Sequence, residues 1–131
     1  MNHSIELHDS TIEEASVIDE ALVLLLHVYV HSSKGHPGFD AGTGWFQPAR
    51  IAITGASIFP DIPKLPVEIS GGTVRIGNDT YPNSMPATGT FRTTVALDLE
   101  LITGESLSIR GDGVAIELHG TRSSIEDFSG F

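Results

Sequence analysis

The sequence predicts an all-β fold, a single-domain antiparallel sandwich or barrel of about eight or nine strands. Apolar residues recur at every second position along most of the chain, most clearly at Val95, Leu97, Leu99 and Leu101. This is the period of a strand with one buried face. Turn residues separate these stretches at intervals of roughly 8–12 residues. With 131 residues, the chain has the size of one domain, and we assign residues 1–131 to it.

The strands are justified in chain order by this alternation. Ile5 and Leu7 mark the first strand, and Ile51 and Ile53 indicate another after Pro48. Residues two positions apart point to the same face of a strand, so both members of each pair can face a core on one side of the sheet.

Two further groups of strands are predicted from turn signals. Gly71-Gly72 lies between two alternating stretches and predicts a hairpin over residues 67–76. Residues 95–119 read as a three-strand meander, with turns at Thr103-Gly104-Glu105 and at Gly111-Asp112-Gly113.

One early segment admits two interpretations. Ser10-Thr11-Ile12-Glu13 fits a capping box, so a short N-terminal helix over residues 11–27 is the alternative. Against it, apolar residues alternate strictly over residues 22–30, which end in strand-forming Val28-Tyr29-Val30. We favour two strands with Asp19-Glu20 as the turn between them.

Charge and composition exclude several classes of function. The chain has 17 acidic and 7 basic side chains and no cysteine, so disulfides and cysteine-ligated zinc are excluded. An acidic protein with scattered cations repels phosphate backbones, so neither nucleic acid nor a membrane surface is an expected partner. The longest apolar run, from Ala21 to Val30, is far shorter than the ~20 residues of a spanning helix. The acidic start is unlike a signal peptide, and we expect a cytoplasmic protein.

A four-residue string that occurs twice suggests a metal site. Ile-Glu-Leu-His ends at His8 and again at His119, and in both copies Glu and His share one strand face. If the two strands were neighbours, Glu6, His8, Glu117 and His119 would form a patch suited to a divalent transition metal. The simpler interpretation is two amphipathic strands whose Glu and His face solvent.

A second histidine-bearing face is predicted on the next strand. His27, Tyr29 and His31 point the same way because they lie two residues apart. A metal clamp is one interpretation, and partly buried aromatic residues with His31 at the solvent end is the one we favour.

Three short motifs are better explained by local structure. Consecutive strand residues point to opposite faces, so His8-Asp9-Ser10 cannot form a catalytic triad. Asp40-Ala41-Gly42-Thr43-Gly44 only partly resembles the Asp-Thr-Gly loop of aspartic proteases. Arg110-Gly111-Asp112 coincides with a predicted turn, which accounts for its glycine and aspartate.

Three long Gly/Pro-rich stretches, residues 34–45, 59–66 and 78–89, are expected to be loops on a rigid sheet. Binding residues are frequently found on such loops. The candidate ligand-binding residues lie in these stretches or directly beside them: Phe39, Asp40, Trp45, Phe46, Phe59 and Tyr81.

The segment Leu7-His8-Asp9-Ser10, followed by an alternating strand and a Gly-rich loop ending in Gly44-Trp45, resembles small bacterial all-β proteins of unknown function. The resemblance covers mainly the first third of the chain. It implies strands in the early segment and a bacterial cytoplasmic setting, and it brings no catalytic residue.

The function we predict from the sequence is a non-enzymatic binding or assembly module that uses the long loops to hold a protein or small-molecule partner. A homodimer is one form of such an assembly, and an acidic surface would suit a basic partner. The alternative is a metal-binding protein or metal-dependent enzyme that uses the Glu/His patch.

Overall fold

The computed structural model describes residues 2–33 and 42–128, and all of its regular elements are strands. The all-β prediction is therefore confirmed. The strands are β1 Asn2–Ile18, β2 Ala21–Ser33, β3 Gly42–Thr54, β4 Ser57–Phe59, β5 Val67–Ile76, β6 Asp79–Pro82, β7 Ser84–Pro86, β8 Gly89–Phe91, β9 Val95–Leu101, β10 Ser106–Gly111, β11 Gly113–Leu118 and β12 Ser123–Phe128.

The strands pair antiparallel along one open path, in the order β4-β10-β9-β5-β1-β2-β3-β11-β8. Three short strands branch from it, since β12 pairs with β3, β6 with β5 and β7 with β1. The path divides into a first half around β1, β2 and β3 and a second half around β5, β9 and β10. Along this path, two ladder pairs of the described residues join the halves, Thr11 with Glu68 and Ile12 with Val67 of β5.

The two halves share one hydrophobic core. Alternate residues of β2 and β3 are buried on one face, and so are alternate residues of β9 and β10. All of them belong to one contiguous cluster, so the sheet folds over and buries the apolar faces of both halves against each other. Its largest fully buried members are Trp45, Ile5, Ile12, Leu24, Ile51, Ile53, Ile69, Met85, Leu97, Leu99, Leu107 and Ile109.

The early segment forms the two predicted strands, and the helical alternative is wrong. β1 and β2 form a hairpin in which Ile18 faces Ala21 across the two-residue turn Asp19-Glu20. Both turn residues have positive φ, 50° and 66°, as a type I′ turn requires. The regular alternation of β2 buries Leu22, Leu24, Leu26, Val28 and Val30 on the core side.

The predicted hairpin over residues 67–76 is a single strand. β5 continues through Gly71-Gly72, with a bulge between Ile69 and Gly71. Gly72 has a φ of 150°, and a Cβ there would lie 2.3 Å from the carbonyl oxygen of Asp98. The glycines therefore allow a close approach of β5 to β9 rather than a reversal of the chain.

Of the predicted three-strand meander, only the first hairpin forms. β9 and β10 form a hairpin around Gly104, but β10 and β11 do not pair with each other. The chain crosses at Gly111-Asp112-Gly113 from the second half to the first, where β11 pairs with β3 and β8. A Cβ on Gly111 would lie 2.4 Å from Ile53 Cγ2, so a glycine is needed where the crossing chain passes over β3.

Two of the predicted loops contain strands. Residues 42–45 belong to β3, and residues 79–82 and 84–86 form β6 and β7. The described residues contain twelve strands, more than the eight or nine predicted. Residues 60–66 are a loop as expected. Across residues 2–33 and 42–128, no helix is long and apolar enough to cross a membrane.

Candidate functional site

The two Ile-Glu-Leu-His strings do not meet. Glu6 lies on β1, opposite Tyr29 of β2, whereas Glu117 lies on β11, opposite Arg50 of β3. Because β2 and β3 separate β1 from β11, the two glutamates are at least about 14 Å apart at ordinary strand spacing. His119 follows β11 and is exposed.

The candidate metal ligands Glu6, His8, Glu117 and His119 are therefore not brought together. The described part of the chain contains no group of three or more histidine, aspartate or glutamate residues that could hold a metal ion. The reason is topological, since the strand pattern sets the face of each side chain but not its neighbouring strand.

The first of the two strings is nevertheless part of a polar cluster. His8 Nε2 lies 3.5 Å from Glu6 Oε2 and 3.7 Å from Asp9 Oδ2. The other oxygen of Glu6 lies 3.5 Å from His31 Nδ1. We call Glu6, His8 and His31, together with Asn83, the β1 cluster. His31 is the most buried of the three charged or titratable members, which contradicts its expected place at the solvent end of β2.

Asn83 fixes the ring of His8. The backbone N–H of His8 donates to Asn83 Oδ1 at 3.2 Å, and the backbone N–H of Leu7 donates to the Asn83 carbonyl at 3.0 Å. Because Oδ1 accepts from a backbone N–H, the amide nitrogen Nδ2 is the atom that contacts His8 Nδ1. Nδ1 is then an acceptor, and in the neutral ring the proton lies on Nε2, facing Glu6 and Asp9.

A large, irregular bulge in β1 makes this arrangement possible. Glu6 is opposite Tyr29 and Thr11 is opposite His27, so four residues of β1 face a single residue of β2. Ser10, which is fully buried, closes the bulge because its Oγ donates to the Glu6 carbonyl at 2.6 Å and accepts from Tyr29 N–H at 3.2 Å. The hydroxyl of Ser10 is therefore bonded to the backbone and is not part of a catalytic triad with His8 and Asp9.

The face of β2 that carries His27, Tyr29 and His31 is confirmed. These residues pair with Pro48, Phe46 and Gly44 of β3. Phe46 stacks on His27 with ring centroids 5.3 Å apart and meets Tyr29 edge-on at 5.1 Å. The rings of His27, Tyr29 and Phe46 are partly buried, as the simpler interpretation of this face expected, whereas His31 is buried.

Of the candidate ligand-binding residues, the four that the structure describes, Trp45, Phe46, Phe59 and Tyr81, do not form one site. Trp45 is 1% exposed and belongs to the core. Its Nε1 donates to Gln47 Oε1 at 2.9 Å, and Arg122 lies 4.0 Å above its ring. Its contacts are therefore made within the chain.

The other aromatic residues of that set are spread over the sheet. Phe46 is in the first half, while Phe59 and Tyr81 are on β4 and β6, with β10, β9 and β5 between those two strands. Phe59 is 77% exposed. Phe39 and Asp40 lie outside the described residues.

The free edge of β1 was not predicted from the sequence. Beyond Ile12, β1 pairs with β2 on one side only, and no other strand of the described residues pairs with residues 13–18. Val17 is 75% exposed although its partner Leu22 is buried, and Ile18 is 49% exposed. A strand edge that carries exposed apolar side chains is a template for a further strand.

Acidic side chains flank this edge. The exposed residues Glu13, Glu14, Asp19 and Glu20 flank it, and the first 33 residues of the chain contain no lysine or arginine. The signal was present in the sequence, but only the pairing of the strands shows that these residues lie on an edge.

Comparison of the whole chain with protein-family models, with curated proteins and with solved structures gave no significant match. The resemblance of the opening segment to small bacterial all-β proteins therefore assigns neither a family nor a role.

Proposed function

We propose that this chain is a non-enzymatic binding module that takes an extended, basic segment of a protein partner as an added strand on the edge of β1. One observation carries the proposal: residues 13–18 form a strand edge that no described strand covers and that exposes Val17 and Ile18. About half of the backbone N–H and C=O groups of such a strand point outward and are available to a partner.

The charge of the edge favours a basic partner over a second copy of the chain. In a twofold-symmetric pair of β1 edges, the end of one strand that carries Glu13 and Glu14 would lie against the end of the other that carries Asp19 and Glu20. Like charges placed opposite each other destabilise strand pairs. Lysine or arginine side chains of a partner would instead be attracted to these four carboxylates.

The alternative sequence-based function, a metal-dependent enzyme or metal carrier, has less support. Its four candidate ligands lie on strands that are not neighbours. We prefer the edge of β1 to the long loops as the binding surface, because the candidate ligand-binding residues that the structure describes are dispersed over the sheet.

Peptide binding tests the proposal. The probe is a short fluorescent peptide that alternates valine and lysine, and its control alternates valine and glutamate. We expect only the lysine peptide to bind, with an affinity that falls as salt is raised because the charges are exposed. Hydrogen exchange should slow at amides within residues 13–18 when the peptide is bound.

Two double variants separate edge binding from general charge attraction. Glu13→Lys with Glu14→Lys should abolish binding. Asp79→Lys with Glu117→Lys changes the net charge by the same amount at exposed positions on other strands, and it should bind nearly as well as the parent. Equal loss in the two variants, or no slowing of exchange in residues 13–18, would show that the edge is not the binding surface.

A further inference from the structure

A second site lies on the outer face of the second half of the sheet. Arg75 of β5, Ala96 of β9 and Arg110 of β10 occupy one row across three neighbouring strands. The two arginine backbones are therefore about 10 Å apart, and the small side chain of Ala96 leaves the space between them open. A cavity of about 360 Å³ is found there, lined by both arginines together with Val95 and Ala96.

The carboxylate of Asp98 lies between the two arginines but, of the two, accepts a hydrogen bond from Arg110 only. Asp98 lies two residues along β9 on the same face, and its Oδ1 accepts from Arg110 Nη2 and from Ser108 Oγ, each at 2.9 Å. Arg75 Nη2 is 3.9 Å from Asp98 Oδ2, which is beyond hydrogen-bond distance. The donors of Arg75 are thus not used by this carboxylate.

The charge of the row is positive. Burial acts to raise the pKa of Asp98, but the hydrogen bonds from Ser108 and Arg110 and the charges of Arg110 and Arg75 outweigh it, so this pKa lies below its usual value. Asp98 is therefore ionised at neutral pH, and two guanidinium groups face one carboxylate. This leaves one uncompensated positive charge in a chain whose net charge is −10.

We propose that this cavity binds the carboxylate of a small organic acid, with Arg75 and Arg110 as hydrogen-bond donors. A guanidinium group matches the planar geometry of a carboxylate, and such charge-assisted hydrogen bonds are stronger than neutral ones. A singly charged ligand balances the excess charge. The methyl group of Ala96, which lies on the same face as the two arginines, provides an apolar surface for the body of the acid.

Titration with benzoate, followed by amide chemical shifts, tests the site. Benzyl alcohol has a similar ring without the charge and is the control ligand. Benzoate should shift the amides of Gly77, Ala96 and Gly111, and benzyl alcohol should shift them much less. Equal effects of the two compounds, or no effect of benzoate, would overturn the proposal, and tighter binding of inorganic phosphate would overturn the choice of a carboxylate.

Three variants test the roles of the side chains. Arg75→Gln should weaken benzoate binding about tenfold, the loss expected for one charge-assisted hydrogen bond, and Arg50→Gln, on β3 of the first half, should leave it unchanged. Asp98→Asn keeps an acceptor oxygen but removes the competing charge, so benzoate should bind several-fold more tightly. Weaker binding by Asp98→Asn, with unchanged amide shifts elsewhere in the protein, would show that the arginines serve Asp98 and not a ligand.

Discussion

Replacing Ser10 by alanine should destabilise the protein through the bulge of β1. The Ser10 hydroxyl makes two hydrogen bonds to backbone groups, one with the Glu6 carbonyl and one with the Tyr29 N–H, and Ser10 itself is fully buried. Alanine fits the space but leaves both groups without this partner. Each buried unsatisfied group costs about 1–3 kcal/mol, so we expect a loss of about 2–4 kcal/mol after some relaxation of the bulge. This is a large share of the ~5–15 kcal/mol typical of a domain.

Urea unfolding followed by the fluorescence of Trp45 measures this loss. Trp45 is the single tryptophan of the chain and is buried, so its emission should shift to longer wavelength on unfolding. Ser70→Ala is the matched control, because the Ser70 hydroxyl also donates to a backbone carbonyl but is exposed; it should change stability by less than about 0.5 kcal/mol. A Ser10→Ala protein as stable as the control would refute the assignment of Ser10 as the group that closes the bulge.

Three further predictions concern other parts of the fold. Gly72→Ala should cost more than about 2 kcal/mol, because its Cβ would clash with the Asp98 carbonyl; Gly104→Ala, also at positive φ but with open space, should cost less in the same urea assay. Since the pKa of Asp98 is lowered by folding, its contribution to stability is complete above its unfolded pKa of about 3.9 and is lost as pH falls through the folded value. Asp98→Asn should therefore flatten the acid limb of a stability-against-pH curve, and an unchanged limb would contradict the ion pairing. The neutral ring of His8 should carry its proton on Nε2 in ¹⁵N NMR spectra, and Asn83→Ala should introduce the other tautomer; a parent ring protonated on Nδ1 would show that the Asn83 amide is oriented the other way.

The β1–β2 hairpin shows where the local sequence pattern is sufficient to predict strand pairing. Apolar residues recur with a two-residue period over residues 22–30 of β2, and Asp19-Glu20 joins β1 and β2 directly. Adjacent strands linked by a two-residue turn have little choice of partner. The pairing of β1 with β2 could therefore be predicted from the residues alone.

The glycine pairs show where local pattern was insufficient. The sequence pattern predicts a turn at Gly71-Gly72 and at Gly111-Asp112-Gly113, yet the first lies within β5 and the second joins strands of different halves. A glycine permits a turn, a bulge or a close approach of two backbones. Which of these occurs is decided by the chain that lies against it, here β9 for Gly72 and β3 for Gly111.

The candidate sites also depend partly on local sequence and partly on tertiary structure. The sequence by itself determined the all-β class, the shared face of Glu6 and His8, the acidic character of the β1–β2 hairpin and the absence of cysteine chemistry. Only the tertiary structure decided that Asn83 holds His8, that Arg75 and Arg110 flank one cavity, and that Glu6 and Glu117 lie on strands that are not neighbours. The physical reason is that the period of a strand fixes which face a side chain takes, whereas its neighbours across the sheet depend on pairings between segments far apart in the chain.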